Sequence, residues 1–265
     1  MNSEKNIQEK LDVIRAFTLM DDIFFEAFAQ DIPAVQEMLR IILKDPKLII
    51  LELTTQNAIP NLYGRAVRLD AVCKLEDERI VNIEIQNSDN DNHLNRVYFN
   101  SAQVIARESQ KGIKFDELPH VIAIYIMKFD LFGLNQLIYH VDLTLREDGR
   151  KLDHVVDYIF INATKYDGTQ LAKLMRCMQQ KDINVPEFPE ITRKFNQLKY
   201  DKEGVRIMCK IMEEYTAKSN AKSFANGEIL GQIKVYHNEL HLEPQEIAEK
   251  LNITEEKVRE VISSF

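Results

Sequence analysis

Two adjacent segments, Val67–Leu75 and residues 79–86, largely alternate apolar and polar side chains, and this alternation constrains the fold more than any other feature of the chain. A period of two is typical of β-strands, whose successive side chains point to opposite faces of a sheet. Residues 76–78 between the segments are all acidic and can form a short hairpin loop. The sequence therefore predicts an antiparallel hairpin with one apolar face.

The apolar residues of the two strands also predict the register of the hairpin. A three-residue loop that pairs Leu75 with Arg79 places both apolar sets on one face, whereas a two-residue loop would move one set to the other face. In the first register Asp70 lies opposite Glu84, and Gln86 follows on the same face. Directly opposed residues have Cβ atoms about 4.5–5.5 Å apart, so the two carboxylates are close enough to share a cation.

This polar face suggests a divalent-metal phosphodiesterase site. Two carboxylates so close repel each other without a cation, and Mg²⁺ takes about one or two protein carboxylates together with water and phosphate oxygens. The face that holds Asp70, Glu84 and Gln86 also holds Arg68 and Asn82, which suit contact with phosphate. The alternative is that the two acids are solvated residues of an exposed sheet face, and the pattern alone leaves both interpretations open.

The remaining elements predict a mixed α/β fold. Two short helices precede the hairpin, and an amphipathic helix with Asp91 as its N-cap leads to an apolar run that would lie as a buried strand beside an earlier one. The predicted helices are 21–43 (with a break near Asp31), 92–111, 170–180 and 190–218, and the predicted strands are 48–55, 66–75, 80–86, 121–127, 137–145 and 155–162.

The composition of the chain limits the functions and locations that can be expected. A net charge of −8 counts against a broad surface for nucleic acid, although a bound cation would reverse the local field of an acidic site. The longest apolar run, Val121–Met127, is far shorter than the roughly 20 residues of a membrane helix, and no signal-peptide pattern is seen. A soluble, cytoplasmic protein without a membrane partner is expected. The three cysteines do not suggest a disulfide framework.

Three motifs resemble the PD-(D/E)XK nuclease superfamily, and within it the recombination-promoting nuclease and transposase (Rpn) branch. They are Arg68-Leu69-Asp70, Asn82-Ile83-Glu84-Ile85-Gln86 and Arg96-Val97-Tyr98-Phe99. Upstream, Asp21, Phe24 and Phe28 fit the frame of the branch's first helix. Phe25 stands where the branch usually has lysine, so a cationic contact expected there is missing.

The resemblance implies a restriction-endonuclease-like three-layer core, with a mixed sheet flanked by helices, and a DNA endonuclease that uses Mg²⁺ or Mn²⁺. It implies catalytic roles for Asp70, Glu84 and Gln86, and metal binding by Asp70, Glu84 and the Ile85 carbonyl. It implies accessory or phosphate contacts for Asp21, Arg68, Arg96 and Tyr98. The superfamily more often has lysine at the position of Gln86, whose amide would only orient water because it neither carries charge nor accepts a proton as an amine can.

The pattern along the whole chain also suggests a domain organisation and a competing function. The nuclease-like core would span residues 15–165, a helical elaboration 166–222, and a helical, helix-turn-helix-like tail 223–265. Residues 243–260 carry six acidic and three basic residues, the wrong balance for reading DNA and more suited to homodimer contacts. The acidic charge and Phe25 also fit a catalytically inactive nuclease-fold protein that acts as an interaction module for partners or DNA.

Overall fold

The centre of the structure, a computed structural model, is a six-stranded mixed β-sheet. The structure describes residues 2–59, 67–89, 92–109, 112–238 and 242–263. The strands are β1 (Ile50–Ile59), β2 (Val67–Leu75), β3 (Ile80–Gln86), β4 (Val121–Met127), β5 (Ile138–Val141) and β6 (Val156–Asn162). Their order is β1-β2-β3-β4-β6-β5, with β3, β4 and β6 parallel and the other pairs antiparallel. The predicted mixed α/β class is confirmed.

Most of the predicted strands are present in the sheet. β1, β2 and β3 pair antiparallel in chain order, and β4 is buried along its whole length beside β3. β5 is shorter than the predicted strand 137–145. The chain leaves the sheet after Val141 and forms a separate bridge between Thr144 and Lys151, so the second half of that segment does not pair with β6.

The helices are α1 (Asn2–Ala16), α2 (Asp22–Phe28), α3 (Ile32–Ile42), α4 (His93–Glu108), α5 (Gln170–Met178), α6 (Pro189–Tyr200), α7 (Lys202–Asn238), α8 (Pro244–Leu251) and α9 (Glu255–Ile262). The sequence pattern did not predict α1. The predicted break near Asp31 is confirmed: its side chain accepts a hydrogen bond from the Ala34 backbone N and caps α3.

The prediction of one helix over residues 190–218 is wrong, because α6 and α7 are separated at Asp201. The Asp201 carboxylate accepts hydrogen bonds from the backbone N of Glu203 (2.9 Å) and of Gly204 (3.3 Å), which caps the start of α7. A Cβ at Gly204 would meet the Gln197 carbonyl oxygen at 1.9 Å. Glycine at this position therefore allows α7 to begin directly against the end of α6.

Helices cover both faces of the sheet. On one face, α4 packs Val97 and Val104 against an apolar cluster that includes Val121, Tyr125 and Phe160. On the other face, α2 contacts β2, α3 contacts β1, and α6 packs on both helices. The predicted three-layer core, a mixed sheet flanked by helices, is confirmed.

Helix α4 joins the parallel strands β3 and β4, and therefore begins close to the carboxyl end of β3. Its N-cap is Asn92, whose side chain accepts a hydrogen bond from the Asn95 backbone N at 3.2 Å. The predicted cap, Asp91, lies outside the described residues. This connection brings side chains of α4 over the polar positions of β3.

The chain divides into two compact units, residues 1–209 and 210–265. In the second unit, α8 ends at Asn252 in the left-handed conformation (φ 52°), and the Thr254 side chain caps α9. The apolar cluster of this unit contains Ile233, Ile247, Ala248, Val258 and Val261. The predicted helical C-terminal extension is confirmed, and it contains the two short helices α8 and α9. No helix within the described ranges is long and apolar enough to cross a membrane.

Candidate active site

The hairpin of β2 and β3 has the predicted register. The Leu75 backbone N donates to the Arg79 carbonyl at 2.9 Å across a three-residue loop, in which Glu78 takes the left-handed conformation (φ 68°). The pairing continues to Ala71 opposite Ile83. The ladder ends at this pair, and the same register extended by one position places Asp70 opposite Glu84.

Asp70 also forms a hydrogen bond with the neighbouring strand. Its Oδ2 accepts from the Ile85 backbone N at 3.0 Å, next to Glu84. This bond holds the Asp70 carboxylate toward β3. The role of the Ile85 carbonyl as a ligand remains a prediction.

Glu84 lies beneath α4 and is 0 % exposed. Its Oε1 accepts from Asn82 Nδ2 at 3.3 Å and from Asn100 Nδ2 at 3.5 Å. Its Oε2 is buried, and the described residues provide no hydrogen-bond partner for it. This burial excludes the alternative that both acids are solvated residues of an open sheet face.

The surroundings of Glu84 raise the pKa of its carboxyl well above the usual value. Burial contributes most, and the facing carboxylate of Asp70 adds to the rise. The Asn82 amide, the Arg96 guanidinium and the nearby backbone N–H of Asp70 lower this pKa but do not compensate. A cation beside the pair would reverse the effect.

Gln86 follows Glu84 on the same side of β3 and contacts α4. Arg96 Nη1 donates to Gln86 Oε1 at 3.5 Å. The positive charge of Arg96 therefore lies next to Gln86, on the same side of β3 as Glu84. Asp70, Gln86 and Arg96 are each partly exposed. The group of polar residues therefore opens to solvent at the carboxyl end of β3, although Glu84 is buried.

Arg96 and Tyr98 point in different directions from α4, as their spacing predicts. The Tyr98 ring is partly exposed and packs edge-on against Tyr158 of β6, with ring centroids 5.1 Å apart. Arg96 reaches Gln86 instead. The structure thus brings Arg96, and not Tyr98, into contact with the Asp70–Glu84–Gln86 group.

Asp21 lies at the start of α2, near the end of β3. The Met20 carbonyl accepts from Asn87 Nδ2 at 2.6 Å, which brings the two elements together. The Asp21 carboxylate accepts from the backbone N and the hydroxyl of Thr18, at 2.7 and 2.8 Å. Both bonds are accepted by Asp21 Oδ2, which therefore holds the local structure before α2. A role of Asp21 in the site remains a prediction.

Arg68 lies in β2 opposite Ala58, and its side chain is outside the described residues. Phe25, at the position where the Rpn pattern has lysine, is buried and packs on Phe28 with ring centroids 6.2 Å apart. Position 25 therefore belongs to the core in this chain.

The family described as PD-(D/E)XK nuclease family transposase matches residues 23–226, more than half of the chain. The chain belongs to this family. The match includes the hairpin, α4 and β4 that surround Asp70 and Glu84. No curated protein and no solved structure matched the chain significantly.

Membership of the PD-(D/E)XK family supports a nuclease-like function, with nucleic acid as the substrate. The donor set fits a hard divalent cation, since Asp70 and Glu84 supply carboxylate oxygens and Glu84 Oε2 is buried without a described partner. Within the described ranges, no group of three or more His, Cys, Asp or Glu residues could hold a metal ion. Two carboxylates suit Mg²⁺ or Mn²⁺, which keep several other ligands, better than a closed zinc site.

Sequence reasoning did not identify Asn100, which contacts Glu84 from α4. Its signal lies in the helix pattern, because Val97, Asn100, Ser101 and Val104 form the buried stripe of α4. An amide in an apolar stripe needs a hydrogen-bond partner. That requirement could have pointed to a polar group on the sheet beneath the helix.

Proposed function

We propose that this PD-(D/E)XK family member is a metal-dependent DNA endonuclease whose cation is held by Asp70 and Glu84. The observation that carries the proposal is the fully buried Glu84 carboxylate, which lies close enough to Asp70 for the two charges to interact and retains one oxygen without a described partner. A carboxyl buried in this way either keeps its proton, as its raised pKa allows in the metal-free protein, or is neutralised by a cation. Facing acids in a family of nucleases are therefore best explained as ligands of Mg²⁺ or Mn²⁺.

A divalent cation bound there would supply Lewis-acid chemistry toward a phosphodiester and its water nucleophile. The residues of the chain hold and orient the reacting groups. Asp70 is fixed by the Ile85 backbone N, and Gln86 can orient a water molecule but cannot take its proton. The carbonyl of Ile85 is the third proposed ligand.

Arg96 supplies the positive charge that Gln86 lacks. Its guanidinium contacts Gln86 at the open end of the site, where a phosphate would approach. A guanidinium remains charged at all working pH values and binds phosphate oxygens in a planar, two-point geometry. We therefore assign Arg96 to the phosphate, with Arg68, Asp21 and Tyr98 as accessory contacts suggested by the Rpn pattern.

The direct test of this function is plasmid nicking in Mg²⁺ or Mn²⁺. Asp70→Asn and Glu84→Gln change charge with little change in size, and each should abolish nicking while the circular dichroism spectrum is retained. Glu76→Gln, an exposed residue of the hairpin loop, is the matched control and should cleave like the wild-type protein. Nicking by either site variant at the wild-type rate, or nicking in excess chelator, would contradict the proposal.

A second candidate is a catalytically silent interaction protein with the same fold. The buried Phe25 favours it, because the Rpn pattern places a lysine at this position. Calorimetric titration with Mn²⁺ discriminates the two candidates. Binding that is lost in both Asp70→Asn and Glu84→Gln favours the nuclease, whereas a wild-type protein without such binding favours the silent module. For the nuclease, we further propose a role in recombination or transposition. We also propose a homodimer that forms through the C-terminal helices.

A further inference from the structure

Two buried amides converge on one oxygen of Glu84. Asn82 precedes Glu84 by two residues on the same face of β3, and its Nδ2 lies 3.3 Å from Glu84 Oε1. Asn100 comes from α4 and places its Nδ2 3.5 Å from the same oxygen. Asn82 and Asn100 are 1 % and 4 % exposed, so both contacts are shielded from water.

The two amides limit how Glu84 can turn. Donors from the strand and from the helix both fix Oε1, so rotation of the carboxylate would break two hydrogen bonds in a site where water cannot replace them. Oε2 accepts a bond from neither amide and is itself buried, so it is the oxygen that a cation would have to meet. In this arrangement Oε1 is occupied by the two amides, and only Oε2 can bind a cation.

We propose that Asn82 and Asn100 form an amide clamp that makes Glu84 a one-oxygen ligand and so selects Mg²⁺ or Mn²⁺ over Ca²⁺. The inference rests on the proposed function and deepens it by assigning two positioning residues and a cation preference. Mg²⁺ and ions of similar size take octahedral sites with metal–oxygen distances of about 2.0–2.1 Å. Ca²⁺ takes about 6–8 oxygens and often binds both oxygens of a glutamate, which the clamp prevents.

The test is calorimetric titration of the full-length protein with MnCl₂ and, separately, with CaCl₂. Asn100→Leu fills the same space without a donor, and Asn100→Ala keeps the helix without a donor or added bulk. Both variants should bind Mn²⁺ about 10-fold or more weakly, as expected when a residue that orients a metal ligand is removed. The ratio of Mn²⁺ to Ca²⁺ affinity should fall as well, because Glu84 can then offer both oxygens.

Ser101→Ala is the matched control. Ser101 is the next buried polar residue of α4 and lies beside Tyr158, so its loss should leave both cation affinities unchanged. A residue that only stabilises the fold would change the melting temperature without changing the cation preference. Nicking by Asn100→Ala should recover at high Mn²⁺ concentration, as expected for weakened binding of the cation.

The outcomes distinguish the clamp from the function on which it rests. Wild-type protein that binds Mn²⁺ through Asp70 and Glu84, together with folded Asn100 variants of unchanged affinity and preference, would overturn the clamp alone. Wild-type protein without Mn²⁺ binding that depends on Glu84 would overturn both. Weaker Mn²⁺ binding with a reduced preference over Ca²⁺ in either folded variant would support the clamp.

Discussion

In the absence of metal, and at a pH above the raised pKa of Glu84, Glu84→Gln should stabilise the protein. The substitution keeps the shape of the side chain and removes a buried charge that faces Asp70. For two charges about 5 Å apart, the usual cross-strand separation, with an effective dielectric constant of about 20, the repulsion is about 3 kcal/mol. At about 2–4 °C per kcal/mol for a domain of this size, the melting temperature should rise by about 6–12 °C.

The effect depends on pH in a direction set by the pKa of Glu84. This pKa is raised in the folded protein, so the folded state retains a proton that the unfolded chain has released. Stability of the wild-type protein therefore falls as pH rises from the ordinary glutamate pKa through the raised value. The advantage of Glu84→Gln should be small at pH 5, where Glu84 keeps its proton in the fold, and largest at pH 9.

The assay is urea and thermal unfolding in EDTA at pH 5 and pH 9, followed by circular dichroism. Glu76→Gln removes an exposed charge from the same hairpin and should change stability by less than about 0.5 kcal/mol. Addition of Mn²⁺ should stabilise the wild-type protein and leave Glu84→Gln nearly unchanged. If Glu84→Gln is no more stable than the wild-type protein at pH 9 in EDTA, the argument for a strained acid pair is refuted.

Three further predictions concern other parts of the structure. Arg96→Ala should lower the nicking rate about 10²-fold at saturating metal, with partial recovery in Arg96→Lys, because a charge at the phosphate is removed; an unchanged rate excludes this role. Lys199 is buried and donates to three backbone carbonyls, so Lys199→Met should lower the free energy of unfolding in urea by about 3 kcal/mol, and a neutral effect would contradict it. Burial raises the pKa of Cys73 and of Cys177 to about 12, so both thiols should react slowly with iodoacetamide at pH 8. Mass spectrometry of the native protein should show that the partly exposed Cys209 is labelled first. Rapid labelling of either buried thiol would count against the fold.

The register of the site could be predicted because it depends on local pattern alone. Alternation over Val67–Leu75 and the next strand, with three residues between them, leaves one pairing that buries both apolar sets, and the strands pair in this register as far as Ala71 and Ile83. The mixed sheet and its flanking helices also follow from the order of the periodic segments.

The burial of the site could not be predicted in the same way. Which helix covers which face depends on contacts between distant segments, so the position of α4 over Glu84 and the contact from Asn100 were not visible in the strand pattern. The division of residues 190–218 at Asp201 was missed for a different reason. The helices are separated by the capping side chain of Asp201 and by the close approach of Gly204 to the backbone of α6. Neither feature is marked by a proline, so the helical pattern of the sequence continues across the break.

The depth of Glu84 under α4 leaves only a small footprint for the substrate. In the proposed nuclease, the substrate would reach the acids through the partly exposed Asp70, Gln86 and Arg96, and a contact of this size would neutralise about one or two phosphates. With about one or two phosphates neutralised, the affinity contributed by this footprint should fall as roughly the first or second power of salt concentration. A shallow dependence of this kind is compatible with a chain of net charge −8, since the acidic surface elsewhere need not touch the nucleic acid.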